Sequence, residues 1–186
     1  EVINSYESFI PIQLIQNKKK SGLANAYLQA YNYALSNKAD AIIQMDADLS
    51  HDPKYITNFI KHYKNYDCIV GSRYVKGGGI KNWDWRRRFV SKFGNRYAQI
   101  ILGTNIRDLT GGFNLYKSSL LKDIHLDKIS SKGYFFQIEM KYKSQKRKAK
   151  IKEFPIIFAE RISGESKFNT SIFLEALWKP FQIRFE

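Results

Sequence analysis

Asp46 and Asp48 stand two residues apart at the end of an apolar run, Ala41-Ile42-Ile43-Gln44-Met45. Alternate residues of a strand face opposite sides. Just past a strand end, however, the chain can turn and bring both carboxylates to one ion. Hard carboxylate oxygens suit Mg²⁺ or Mn²⁺, which also bind the oxygens of a diphosphate. A D-x-D pair arises by chance in many sequences. Its place after a buried strand and ahead of Leu49-Ser50-His51-Asp52-Pro53 gives it chemical meaning. The plainer alternative is a solvated loop in which Asp52 caps the next helix.

Groups suited to phosphate follow. Arg73 ends the apolar run Cys68-Ile69-Val70-Gly71 and would share a sheet edge with the carboxylates. Its guanidinium is a planar fork that matches phosphate oxygens. Arg87 and Ser91 are four apart on an expected helix and so share a face, a cation and a hydroxyl for one phosphate. Arg161 and Lys167 flank Ile162-Ser163-Gly164-Glu165-Ser166, a glycine-containing loop that can fold over an anion. Each has a plainer alternative as a solvated or structural charge. Neither G-x-x-x-x-G-K-[ST] nor G-x-G-x-x-G is present. His51 could lie near a metal; His62 and His125 read as ordinary surface residues, with no zinc site or nucleophile triad.

The elements that must position these residues read as α/β. Ile10–Ile15 is an expected short strand. Ser21 can cap a helix over 22–36, whose apolar positions recur at helical spacing. A strand over 41–45, a helix starting near Pro53 and a strand over 68–71 follow. This alternation predicts a mainly parallel sheet flanked by helices, with ligands beyond the carboxyl ends of its strands. Gly77-Gly78-Gly79 reads as a flexible connection, 85–102 as a basic helix and 110–113 as a tight loop. A helix over 134–144 and a strand pair over 151–158 close the domain. The tail from Asn169 is amphipathic and expected to be interrupted at Pro180.

The chain has 186 residues, one ordinary domain, and 31 Lys and Arg against 17 Asp and Glu leave a net charge of +14. Such a surface attracts polyanions or an anionic lipid surface; many of its lysines equally suit a solvated face. The single cysteine, Cys68, rules out an intrachain disulfide and fits a reducing compartment. Neither a leader-like N-terminus nor an apolar run of the ~20 residues that span a bilayer is visible.

Taken in order, these pieces resemble a known family. Gly22-Leu23-Ala24-Asn25-Ala26-Tyr27, MDADLSHDP, GSRY, W-x-x-x-RR-x-x-S, DLTGGF, GYFFQIEM, EFPIIFAER and R-x-x-G-x-SK look like the polyprenol (dolichol) phosphate mannosyltransferases. These are inverting family 2 glycosyltransferases with the GT-A, Rossmann-like fold. The resemblance runs from about Lys20 to Lys167. It implies a metal-dependent transfer of mannose from GDP-mannose to a polyprenyl or dolichyl phosphate, with inversion, at the cytoplasmic face of a membrane. By motif, Asp46 and Asp48 would hold Mg²⁺ or Mn²⁺ and the donor diphosphate, with Gly22 and Leu23 also on the donor side. Arg73, Arg87, Ser91 and Arg161 would hold phosphate groups, supported by Lys167, and Glu139 would face the sugar. Ser50 departs from the family pattern, where a glutamine often joins the metal shell; Ser50, or water in its place, would take that position.

A larger departure is at the start. The family opens with a strand and an acidic nucleoside-binding loop, and the chain reads as lacking that first β-α unit. The expected domains are an N-terminally incomplete catalytic domain over 1–168 and an amphipathic segment over 169–186 that could lie in a membrane interface or pack on the core. Weak or no turnover is expected of this polypeptide. The family leaves room for a membrane subunit or a transmembrane region beyond residue 186. The nearest rival is a polyprenyl-phosphate glucosyltransferase using UDP-glucose. A nucleic-acid-binding module is disfavoured by the carboxylate pair and by the lack of an RNP motif or zinc finger. A non-catalytic lipid-phosphate binder is the third rival.

Overall fold

The computed structural model describes residues 11–16, 22–131, 133, 135–160 and 170–186, with side chains of the last helix described from Ala176. Helix α1 (Leu23–Ser36) leads to β1 (Ala41–Gln44), α2 (Tyr55–His62) and β2 (Cys68–Ser72). A two-residue strand β3 (Gly79–Ile80) precedes the long helix α3 (Trp85–Leu102). Then come β4 (Asn114–Lys117), α4 (Ser118–Ile124), α5 (Phe135–Lys146), β5 (Ile151–Pro155), β6 (Ile157–Phe158) and α6 (Thr170–Phe185).

The α/β expectation holds, with a finer feature that strand spacing does not encode. The main sheet has the order β1-β4-β2-β5. β2 and β5 pair in parallel, whereas β4 is antiparallel to both β1 and β2. β1, β2 and β5 therefore point the same way, and one reversed strand fills the slot between the first two. Gln44 and Val70 both lie opposite Asn114, so β1 and β2 end nearly level. Two interstrand spacings place those ends about 10 Å apart.

Alternation along the strands sends Cys68, Val70 and Tyr116 to one face, where Tyr31 of α1, Leu121 of α4 and Phe136 and Met140 of α5 cover them. Ile69, Phe113 and Leu115 go to the other face, against Phe59 of α2. A third apolar cluster joins Ala98 and Leu102 of α3 to Ile138 of α5 and Ile183 of α6. The last helix thus shares its core with the body of the domain.

Four expectations need correction. Residues 11–16 form no strand; Leu14 and Ile15 are exposed, and a strand needs a ladder to join. Gly77-Gly78-Gly79 is a built turn: a Cβ on Gly78 would stand 2.5 Å from the Ser72 carbonyl oxygen, and Gly79 pairs with Ile157. β5 and β6 are not a pair, because Ile156 separates them and β6 joins β3 in a second small sheet. Pro180 does not interrupt α6. It removes one helical donor, and the burial of Ile183 and the Tyr97 hydroxyl on the Leu177 carbonyl (2.7 Å) tie that stretch to α3 and the core. Ser21 lies outside the described residues; α1 begins after Gly22 without a side-chain cap.

Candidate functional site

The carboxylates occupy the carboxyl end of β1, and α1 reaches across to hold them. Tyr27 and Tyr31 are four apart on α1 and so project together. The Tyr27 hydroxyl donates to Asp46 Oδ1 at 2.8 Å, and the Tyr31 hydroxyl donates to Gln44 Oε1. Burial and the nearby Asp46 charge raise the Tyr27 pKa far above the ordinary phenol value, so the hydroxyl stays a donor. The Asp46 amide donates to His51 Nδ1 at 3.3 Å.

Between Asp48 and Ser50 the chain bends through Leu49, whose φ of 64° is left-handed. That bend lets both the Ser50 amide (3.1 Å) and its hydroxyl (2.5 Å) donate to Asp48 Oδ1. Ser50 is buried, and its carbonyl accepts from the Ala159 amide. Its hydroxyl proton therefore serves Asp48; a role as a direct metal ligand would use its remaining oxygen lone pairs. Asp52 forms a turn with the Lys54 amide at 3.0 Å, ahead of α2.

His51 is buried between Phe113 and Phe158, with ring centroids 5.2 Å from each. Burial lowers its pKa below 6.5, opposed by the charges of Asp46 and Asp48. Below pH 6.5 the unfolded chain takes up a proton that the native chain resists, so stability falls as pH drops. Thermal unfolding between pH 7.5 and 5.5 should show this slope, and His51→Phe should reduce it; an unchanged slope would remove His51 as its source.

At the end of β2, Arg73 is at the predicted sheet edge, with its guanidinium buried and held by Asp108. Nε donates to Oδ2 at 2.8 Å and a terminal nitrogen to Oδ1 at 2.7 Å. The Arg73 amide also donates to Oδ2, and the Gly111 amide donates to Oδ1. Burial alone would raise the Asp108 carboxyl, but the Arg73 charge and hydrogen bonds hold it below the ordinary range. Arg73 thereby fixes the loop from Asp108 to Gly112 through Nε and one terminal nitrogen.

The same loop draws on three other elements. Asn95 of α3 accepts from the Leu109 and Thr110 amides. Lys141 of α5, fully buried, donates to the Leu109 and Gly111 carbonyls at 3.1 and 2.6 Å. Burial lowers the Lys141 pKa to about 8, with Asp108 opposing. The loop feeds β4 and lays Gly112 against Asp46: a Cβ there would stand 3.3 Å from Oδ2. A glycine keeps that side of the carboxylate open.

Arg87 and Ser91 share a face of α3, as their spacing predicted. The Ser91 hydroxyl bonds Tyr74 at 2.7 Å, next to Arg73. The Arg87 guanidinium sits 3.9 Å over the Trp83 ring and pairs with Glu160 at 2.9 Å. Trp83 meets Phe158 edge-on, and Phe158 also lies beside His51, so aromatic contacts link the cations to the carboxylate end. Arg161 and Lys167 lie outside the described residues.

Glu139 does not face a sugar. Its buried carboxylate accepts from the Ser130 and Ser131 amides and from Lys143. A groove of about 420 Å³ lies elsewhere, between α1 and the segment around His125, and none of the residues above line it.

Among the described residues no group of three or more His, Cys, Asp or Glu is arranged to hold a metal ion. Asp46, Asp48 and the Ser50 hydroxyl supply hard oxygens of the kind Mg²⁺ and Mn²⁺ take, and would need diphosphate or water to complete a shell. The open side at Gly112 fits such an arrangement.

Residues 1–125 match the family described as glycosyl transferase family 2. The chain belongs to that family. An undecaprenyl-phosphate mannosyltransferase of Micrococcus luteus is 37% identical over 166 residues, covering 89% of this chain and 68% of that protein. A polyprenol monophosphomannose synthase of Mycolicibacterium smegmatis is 36% identical over 169 residues, covering 90% and 64%. The crystal structure of Mycobacterium tuberculosis glucosyl-3-phosphoglycerate synthase superposes with a TM-score of 0.55 at 12% identity, covering 95% of this chain and 60% of that one. Its complex with Mn²⁺, UDP and glucosyl-3-phosphoglycerate gives 0.58, also at 12% identity, over 59% of that chain. These likenesses establish a GT-A-like fold for this family 2 member. The chain spans roughly two thirds of its relatives' length or less.

Sequence reasoning singled out Asp46, Asp48, Arg87 and Ser91, and the structure places them along one sheet edge and the helix beside it. It missed Asp108, Asn95 and Lys141 as the scaffold of the glycine loop, and Tyr27 as the partner of Asp46. Tyr27 carried a weak signal: it lies four residues before Tyr31 on α1, and both reach the end of β1.

Proposed function

We propose that this domain transfers mannose from GDP-mannose to the phosphate of a polyprenyl lipid at a membrane surface, with inversion at the anomeric carbon. The observation that carries the reading is the pairing of sites on one edge. Asp46 and Asp48 follow β1, while Arg87 and Ser91 stand on α3, whose Ser91 hydroxyl bonds Tyr74 just past the end of β2. Carboxylates suited to a metal-bound diphosphate and groups suited to a second phosphate thus share one end of the sheet, as a reaction between two phosphate-bearing substrates requires. The names of the two relatives above support the choice of mannose and polyprenyl phosphate.

In this reading Asp46 and Asp48, with Ser50 beside them, would hold Mg²⁺ or Mn²⁺ and the donor diphosphate; Gly22 and Leu23 lie on the donor side. The cation would stabilise negative charge on the departing diphosphate as a Lewis acid. Arg87, Ser91 and Arg161 bind the acceptor phosphate, with Lys167 in support. Arg87 exchanges Glu160 for that phosphate, and its stacking on Trp83 keeps the guanidinium in place as it does so. A phosphate monoester has its second pKa near ~6, so the attacking oxygen is already ionised at neutral pH. It needs no general base, in keeping with a buried His51 whose Nδ1 already accepts from Asp46. The need is to bring two anions together, which fixed cations do. Inversion follows from attack on the face opposite the leaving diphosphate.

Calorimetric titration of GDP, GDP-mannose and UDP-glucose with and without Mn²⁺ tests the donor. Metal-dependent binding of the guanine ligands alone is expected. Binding of UDP-glucose alone would move the assignment to a glucosyl donor, and metal-independent binding would remove the carboxylates' role. No helix among the described residues is long and apolar enough to cross a membrane.

A further inference from the structure

One buried cation grips the glycine loop and has no part in the proposed chemistry. Lys141 of α5 is fully buried, and its ammonium donates to the Leu109 carbonyl at 3.1 Å and the Gly111 carbonyl at 2.6 Å. Such charge-assisted bonds are about twice as strong as neutral ones. The next residue, Gly112, lies against Asp46, where a Cβ would stand 3.3 Å from Oδ2. Two glycines in succession have little shape of their own. The backbone that borders the carboxylate is therefore shaped by what holds Gly111.

The other holds on this loop differ in kind. Asn95 is uncharged, and Glu153 of β5 accepts from the Arg107 and Asp108 amides at 2.9 and 3.0 Å. The charged and titratable groups facing Lys141 are Asp108 of the loop, Cys68 of β2, Arg73 beyond it, and Glu153. Against burial, the Asp108 charge raises the Arg73 pKa, and the Arg73 charge lowers that of Asp108. Burial pushes the Cys68 thiol up to about 12. Those three keep one charge state through neutral pH. Burial brings Lys141 down to about 8, opposed by Asp108, so its charge changes close to neutrality.

We propose that Lys141 is a titratable positioning residue for the donor site: its ammonium clamps the Asp108–Gly112 loop beside Asp46, and loss of its proton releases the clamp and weakens metal-dependent nucleotide binding. The effect on binding rests on the donor reading above; the clamp itself rests on the geometry alone. Proton and nucleotide are then linked in both directions: the proton tightens the nucleotide, and bound nucleotide raises the Lys141 pKa by the same factor.

Stability runs the other way. The folded chain holds this proton less tightly than the unfolded chain, so between about pH 8 and 10.5 the Lys141 contribution favours folding more as pH rises. General alkaline unfolding would loosen site and fold together. Release of this clamp loosens the site while the stability of wild type relative to Lys141→Met rises.

Nuclear magnetic resonance of the ¹⁵N-labelled 186-residue chain between pH 6.5 and 9.5 tests this. The Gly111 and Gly112 amide signals should move together with a midpoint near 8. Calorimetric GDP binding in Mn²⁺ should weaken about fivefold or more over the same range. Lys141→Met, checked for folding by circular dichroism, should show neither change and should bind GDP at the weaker, high-pH level. The wild-type titration decides the matter by itself if that variant does not fold. Glycine signals that stay still in wild type, or move equally in Lys141→Met, would overturn the proposal, as would GDP affinity that is flat while the glycines titrate. Absence of GDP binding at every pH, with the glycines still titrating, would sink the donor reading and leave the clamp standing.

Discussion

Asp48→Ala abolishes Mn²⁺-dependent nucleotide binding and lowers whatever mannosyl transfer the domain supports by at least ~10³-fold, the scale expected when charge stabilisation at a leaving group is lost. Asp48 is at the bend after β1, where it accepts from the amide and hydroxyl of Ser50. A hydrogen bond to a charged group is worth about 1.5–3 kcal/mol, less than the ~5–15 kcal/mol that holds a typical domain. The fold should therefore persist by circular dichroism while transfer and Mn²⁺-dependent nucleotide binding disappear together. A folded Asp48→Ala protein with wild-type turnover would end the metal assignment. Asp48→Asn separates charge from shape, since it keeps an oxygen for Ser50 while removing the anion. It should be nearly as inactive and closer to wild type in stability.

Arg73→Met has the opposite profile, with the largest effect falling on stability. Arg73 and Asp108 are both buried and joined by two short side-chain hydrogen bonds. Removing the cation leaves Asp108 charged in the interior, with amide donors and the Lys141 charge as partial compensation. Breaking such a pair costs ~3–5 kcal/mol, a large share of the 5–15 kcal/mol that holds a typical domain. Urea denaturation should show the loss as a lower midpoint. Asp108 has its carboxyl pKa held down, so the pair's contribution is complete above about pH 3.8 and fades as pH falls further. The stability gap between wild type and Arg73→Met should narrow in acid. A variant within 1 kcal/mol of wild type at neutral pH would show that the pair is dispensable, and phosphate binding would again be the better account of Arg73.

What the sequence made legible is what depends on neighbours along the chain. α3 was expected over 85–102 and occupies Trp85–Leu102, because Asp84 accepts from the Arg87 amide at one end and Gly103 takes a left-handed φ of 63° at the other. β1 and β2 follow from their apolar runs, and Asp46 and Asp48 from their place after one of them. The misread parts depend on distant partners. Asp108 lies 35 residues from Arg73 and Lys141 lies 32 from Leu109, so neither bond leaves a periodic signal. The Asp108 partner of Arg73 was not foreseen, because an arginine after a strand is identical on paper whether or not a buried carboxylate awaits it. Glu139 was misassigned for a similar reason, its partners being amides of a turn before the helix. The expected strand over 10–15 failed at 11–16 because an apolar run does not specify a ladder to join.

The reversed strand β4 also governs the order in which this molecule can come together. By residue 72 the ribosome has delivered both strands whose ends bear the carboxylates and Arg73, yet neither pairs with the other. Each waits for Asn114–Lys117 to thread between them, and Asp108 and Gly112 arrive on the same late stretch. Closing loops of this length before any strand pairing is gained slows folding. Until then both strands present unpaired edges to solvent and to other chains. Synthesis of the first half thus yields Asp46 and Asp48 with their near neighbours Tyr27 and Ser50, while the sheet that sets β1 against β2 and the glycine loop beside Asp46 wait for the second.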